Sequence, residues 1–126
     1  MHSLAHIGIQ VKDLEVSERF YVDALKCRKS GRIETGNVRI AFLDFANGTI
    51  ELVQLLGGAE PVHHSPFAHL AFDVSDIAGE YERIQSLGAE MVDGAPRAFN
   101  DGLLFFFKGP SGESIEFCSG IRIDPV

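Results

Sequence analysis

Apolar Ile7, Ile9 and Val11 alternate with His6, Gly8 and Gln10, the period of a strand with one buried face. Asp13 then suits a helix N-cap, and Val16, Phe20 and Ala24 follow at helical spacing. The same pattern returns at Leu70, Phe72 and Val74, which alternate with His69, Ala71 and Asp73. Asp76 is the second cap, Ile77, Tyr81, Ile84 and Leu87 make a helical stripe, and Gly88 is its stop. Strand-like runs lie at 38–45, 49–55, 103–107 and 114–118, with Gly48 and Gly112 where hairpin turns are needed. Leu104 to Phe107 is apolar on both faces, as expected of a central strand.

These two series are one series repeated. Ala5 to Leu14 reads almost like Ala68 to Ile77, and His69 answers to His6 half a chain away. The stretch Asn47-Gly-Thr-Ile-Glu51-Leu answers to Ser111-Gly-Glu-Ser-Ile-Glu116-Phe at a slightly longer offset. A turn insertion absorbs the difference. Each half is expected to be βαβββ, over about 4–56 and 67–120, as two modules of a single domain spanning 1–126. The stretch 56–67, with Gly57-Gly58, Pro61 and Pro66, reads as the linker.

Strand parity then separates chemistry from core. His6 and His69 point away from the apolar faces of their strands, and Glu51 and Glu116 oppose their apolar neighbours. The bulky faces are expected to pack under the helices, leaving one His and one Glu per half on the opposite side. If the halves pair symmetrically, the four converge. Two imidazoles and two carboxylates suit a divalent ion of borderline hardness: nickel, zinc, cobalt, manganese or iron(II). Four protein ligands leave two of six positions for water or two substrate oxygens, the arrangement by which a Lewis acid stabilises an enediolate. A carboxylate beside the ion can take the proton from the adjacent carbon.

Composition narrows the partners. The 126 residues are 45% hydrophobic and 23% charged, an ordinary globular balance. A formal net charge of −7 disfavours nucleic acid and anionic membranes. No apolar run is long enough for a membrane-spanning helix, and the first residues lack the pattern of a secretory signal. Cys27 and Cys118 are too few for a disulfide framework and read as free thiols, which suits a cytoplasmic protein. His2, His63 and His64 read as exposed surface, as does the acidic group Glu80, Glu82, Glu90 and Asp93. Arg39 and Arg97 have the chemistry to meet a substrate carboxylate or phosphate, although an exposed solubilising role is the simpler expectation for each.

The segments His6-Ile-Gly-Ile-Gln-Val-Lys-Asp-Leu, His69-Leu-Ala-Phe-Asp-Val-Ser-Asp-Ile and Gly109-Pro-Ser-Gly-Glu-Ser-Ile-Glu116-Phe resemble the vicinal oxygen chelate superfamily of glyoxalases, bleomycin-resistance proteins and extradiol dioxygenases. The resemblance runs from Leu4 to about Gly120. It implies an α+β fold in which two tandem βαβββ modules form a curled mixed sheet around a metal cup. It implies His6, Glu51, His69 and Glu116 as ligands, a small-molecule substrate, and a homodimer, because such cups are often built from two chains. Dioxygenases and fosfomycin-resistance enzymes typically use two His and one Glu, matching His6, His69 and Glu116, whereas the full set is closer to glyoxalase I (lactoylglutathione lyase). The implied activity is a metal-dependent lyase or isomerase working through an enediolate-type proton transfer, with Glu51 or Glu116 as the base.

Two positions depart from the glutathione-binding pattern. Gln10 stands where an Arg is common and Leu55 where an Asn is common, and a lost charge-assisted pair costs roughly 1.5–3 kcal/mol. A different substrate is therefore compatible with the same chemistry. Asn37 to Leu43 and Ile50-Glu51-Leu52 are also similar to methylmalonyl-CoA epimerase, but Thr35 occupies the place of its catalytic Glu, with Glu34 one residue off. A third reading is a metal-free drug-binding module with Phe99, Phe105 and Phe107 lining an apolar pocket.

Overall fold

A computed structural model describes residues 5–58, 60 and 69–125, together with Met1. The chain forms two compact units, Met1–His64 and Ser65–Val126. The linker expected over 56–67 begins with a turn at 56–57, and most of it, with His2, His63 and His64, lies outside the described residues.

The first unit runs β1 (Ile7–Gln10), α1 (Leu14–Leu25), β2 (Arg28–Glu34), β3 (Val38–Phe45) and β4 (Gly48–Leu55). Its sheet has the order β1-β4-β3-β2, with β1 parallel to β4 and the other pairs antiparallel. The second unit runs β5 (Leu70–Asp73), α2 (Ile77–Ser86), β6 (Glu90–Met91), β7 (Arg97–Phe99), β8 (Gly102–Lys108) and β9 (Ser114–Ser119). Its sheet has the order β5-β9-β8-β6, and β7 pairs with the other end of β8. Topologically β6 and β7 are one interrupted strand, so both units are βαβββ in an α+β fold. The strand after the helix is disturbed in both, by a register shift between Lys29 and Gly31 in β2 and by the break in the second unit.

Both caps are where the sequence places them. Asp13 accepts from the Val16 amide and Asp76 from the Gly79 amide, each at 3.1 Å. Gly88, at φ +83°, ends the second helix. The β7–β8 turn is made by Asn100 and Asp101, both at positive φ, as a two-residue hairpin loop requires.

The stripe on α1 differs from expectation. Its buried residues are Leu14, Ser17, Glu18, Tyr21, Ala24 and Leu25, while Val16 is half exposed. The helix starts at Leu14, and two polar residues share its buried face, so apolar spacing alone misplaces that face. Glu18 is 5% exposed and is held by Arg32 at 2.9 Å and Lys29 at 3.2 Å. On α2, Ile77, Tyr81 and Ile84 are buried as expected, but Leu87 caps the helix and is exposed.

The two cores use different side chains. Ile9, Val11, Leu14, Leu43, Ile50 and Leu52 fill the first around one buried ring, Tyr21. Phe105, Phe107, Phe117 and Tyr81 interlock in the second, with ring centroids 5.0–5.8 Å apart. Phe105 and Phe107 are fully buried here, which removes them from the apolar pocket of the drug-binding reading, and Phe99 is exposed. In both units the open face of the sheet lies opposite the helix, and there the chemistry is found.

Candidate metal centre

In the first unit Gly8 of β1, Glu51 of β4 and Phe42 of β3 stand in one row across the sheet. His6, just before β1, is on the same face. Its Nε2 lies 3.0 Å from Glu51 Oε2, and its ring meets the edge of Phe42 at 6.2 Å and 85°. In the second unit the equivalent row is Ala71, Glu116 and Phe106. His69 Nε2 lies 3.9 Å from Glu116 Oε1, and its ring meets Phe106 at 5.2 Å and 83°. The imidazoles are about two-fifths exposed and the carboxylates 17% and 15%, so each pair is accessible without being loose.

Each unit thus brings together the His and Glu expected of it, and adds a phenylalanine that the apolar pattern alone does not single out. Phe42 and Phe106 sit at equivalent places in the repeat, opposite Glu51 and Glu116, and that equivalence is the signal available in the sequence. Among the described residues, neither unit gathers a third His, Cys, Asp or Glu around its pair at metal-binding distance.

The donors suit a metal. Around an ion with nitrogen and oxygen ligands at about 2.1 Å, neighbouring donors lie about 3 Å apart. The 3.0 Å pair has that spacing, and the 3.9 Å pair needs only a small side-chain adjustment.

The other candidates separate cleanly. Arg39 points to the helix side, where it pairs with Glu15 and, at 3.1 Å, with Glu34. Those contacts raise the Arg39 pKa, and its guanidinium holds both carboxyls below the usual carboxylate range. Glu34, the candidate base of the epimerase reading, is therefore committed to Arg39 and Arg32. Thr35 closes the β2–β3 turn by accepting from the Asn37 and Val38 amides. Arg97, by contrast, lies over the Phe106 ring, 5.8 Å from its centroid. Gln10 follows Gly8 on the open face of β1, and Leu55 ends β4 at a recess of about 260 Å³ lined also by Val11, Lys12 and Gln54. Cys27 is buried and its thiol is pushed up to about 11. Burial, and then Asp73, pushes the Cys118 thiol up to about 11 as well, so neither is a ready nucleophile.

The tight turn before β9 carries no site residue. Glu113 is 5% exposed, accepts from the Ser111 amide at 3.0 Å, and folds its carboxylate over Gly109 where a Cβ would collide with it. That fixes the entry of β9 and hence the reach of Glu116.

The sequence model of the Glyoxalase/Bleomycin resistance protein/Dioxygenase superfamily matches residues 3–117. The chain belongs to this superfamily. It is 32% identical over 117 residues to the uncharacterized protein YwbC of Bacillus subtilis, covering 89% of this chain and 93% of that one. It is 28% identical over 120 residues to a probable lactoylglutathione lyase of Synechocystis, covering 90% and 92%. Among solved structures, the fosfomycin resistance protein FosX of Listeria monocytogenes, in complex with Mn(II) and sulfate, superposes with a TM-score of 0.78 at 20% identity. That match covers 95% of this chain and 93% of FosX. The glyoxalase superfamily fold expected from the sequence is therefore present. Members of the superfamily include enzymes and bind divalent metals and small molecules, and no helix among the described residues is long and apolar enough to cross a membrane.

Proposed function

We propose that this protein is a metal-dependent, glyoxalase I-like lyase or isomerase acting on a small substrate that presents two adjacent oxygens. His6, Glu51, His69 and Glu116 together hold one divalent ion. The observation that carries this reading is the duplicated row: the same His, Glu and Phe meet on the open face of each sheet at matching register. One pair supplies two ligands, half the expected set, so a complete centre takes one pair from each kind of half. The halves come from one chain or, in a homodimer, from two.

When bound, the ion would act as a Lewis acid on the two substrate oxygens. The protein's own part is proton transfer and placement. A carboxylate of the Glu51 or Glu116 kind takes the proton from the carbon beside the chelated oxygen and returns it to the neighbouring carbon. Phe42 and Phe106 hold the imidazole planes by edge contacts and put an apolar wall beside each pair. The similarity to a probable lactoylglutathione lyase supports this chemistry, while Gln10 and Leu55 favour a substrate other than the glutathione adduct.

The test is metal content by mass spectrometry after purification without chelator and reconstitution with nickel, cobalt, manganese or zinc. About one ion per His6–Glu51–His69–Glu116 set is expected, with a clear loss in Glu51→Ala and in Glu116→Ala. Absence of stoichiometric binding under every condition, or occupancy indifferent to both substitutions, overturns the four-ligand reading. Once stoichiometric loading is obtained, the protein is offered 2-oxoaldehyde thiol adducts, where Glu→Gln at the acting base should lower turnover by about 10²–10⁴-fold.

A further inference from the structure

We infer that Arg97 is the substrate-specificity residue of this centre and that it receives a carboxylate carried by the substrate, an inference that rests on the metal-enzyme reading above. The two arginines with that chemistry in the sequence are resolved by their surroundings. Arg39 is on the helix side of its sheet and engaged by Glu15 and Glu34. Arg97 pairs in register with Leu104, on the face that also carries Phe106 and Glu116.

Arg97 is held in place but left open. Its Nε meets Asp93 Oδ1 at 3.2 Å, while Asp93 Oδ2 accepts from the Phe106 amide at 2.8 Å. The Tyr81 hydroxyl donates to the Asp93 carbonyl at 2.7 Å, so the segment bearing Asp93 is itself tied to α2. The guanidinium lies over the Phe106 ring, which His69 also meets. That one ring bridges the two groups, 5.8 Å from the guanidinium carbon and 5.2 Å from the imidazole centre. A small substrate chelated beside His69 is therefore within reach of Arg97. Among the described residues only Nε has a hydrogen-bond partner, and the side chain is 51% exposed. The two terminal NH2 groups form the fork that matches a carboxylate.

The equivalent position of the first sheet shows that this is not a feature of the repeat. Arg97 pairs with Leu104, as Ile33 pairs with Ile40. The first sheet thus has an exposed isoleucine where the second has the cation. A substrate with a chelating end and an acidic end is the ligand this distribution selects.

Matched hydroxamates test this without knowledge of the natural substrate. Benzohydroxamate chelates a metal through two adjacent oxygens, and its meta- and para-carboxy derivatives add an acid at two reaches. Affinity for the metal-loaded protein is read by titration calorimetry. One carboxylated probe should bind about tenfold tighter than benzohydroxamate, and Arg97→Gln should abolish that advantage while leaving benzohydroxamate itself unchanged. Arg97→Lys should retain part of it, since the charge survives and the fork does not. Equal binding of all three probes by the parent protein, or an advantage that survives Arg97→Gln, overturns the role of Arg97 and leaves the metal centre standing. Failure of every hydroxamate to bind metal-loaded protein shows that the ion has no open positions for a chelating substrate, and overturns this subsite with the substrate-chelating reading.

Discussion

The two halves of this chain share a topology and a duplicated His–Glu–Phe row, but they hold their sheets together differently. The first half packs aliphatic side chains around a single buried ring, Tyr21, and adds a dense charged seam. Glu15 and Glu18 of α1 meet Arg32 and Arg39 of the sheet, Lys29 also reaches Glu18, and Glu34 joins Arg32 and Arg39. The second half packs Phe105, Phe107 and Phe117 under α2, where Tyr81 meets them, and its cation on the open face stands over a ring. One fold therefore tolerates two internal solutions, provided that the row of the open face is kept. The side chains that differ decide stability and selectivity, and those that match decide the metal chemistry proposed here.

The sharpest way to break this comparison is to cut each core at its centre. Phe105 touches Tyr81, Phe107 and Phe117 and is fully buried, so Phe105→Ala should cost about 3–5 kcal/mol in denaturant unfolding. Leu43→Ala in the first half should cost about 2–5 kcal/mol, and toward the lower end if the surrounding aliphatics close the gap. If hydrogen exchange shows Phe105→Ala loosening only the second sheet, the halves are separate cooperative units. Equal loosening of both sheets makes them one.

Next in size is the charged seam. Glu18 is buried but its partners reach solvent, so Glu18→Gln leaves no stranded buried cation. The expected loss is about 1.5–3 kcal/mol, that of hydrogen bonds to a charged group. A change within a few tenths of a kcal/mol would show that the seam only decorates a helix already fixed by Leu14 and Tyr21.

Acid provides a third test. Among the described residues three carboxyls are held low: Glu15 and Glu34 by Arg39, and Asp44 first by the Ser30 hydroxyl and then by Thr49. All three are in the first half. A carboxyl lowered by folding stabilises the native state above its unfolded pKa and loses that contribution as pH falls through its folded value. Between about pH 4.5 and pH 2, exchange protection of β2 and β3 should therefore decline before that of β8 and β9. Because Glu15 and Glu34 are about half exposed, the effect should be modest and should shrink in high salt. Simultaneous loss of protection in both sheets would refute it.

Much of this was legible in the sequence because the chain states its plan twice. The repeat, the caps at Asp13 and Asp76 and the parity of His6, Glu51, His69 and Glu116 all follow from local periodicity, which a half-buried strand enforces. What escaped depends on contacts made across the sheet. Glu18 is buried by Lys29 and Arg32, cations of the strand that follows its helix, so no apolar pattern reveals the true face of α1. The run from Leu104 to Phe107 reads as uniformly apolar, yet the register assigns Phe105 and Phe107 to the core and Phe106 to the site. Arg39 and Arg97 are indistinguishable until pairing puts one beneath the helix and the other beside Phe106.

The smallest expected effect tests the equivalence of the two rows directly. Gly8 and Ala71 occupy the same place beside their glutamates. A Cβ on Gly8 would stand 3.8 Å from Glu51 Oε1, ordinary contact, and the backbone there is not in the left-handed region. Ala71 already carries that methyl beside Glu116. Gly8→Ala should therefore leave metal occupancy unchanged and raise stability by about 0.5–1 kcal/mol, because alanine loses less backbone freedom than glycine in a strand. Loss of metal with intact folding would mean that the first row needs open space beside Glu51 that the second does not. The two pairs would then be unequal partners, with Glu51 requiring room to move and Glu116 held still.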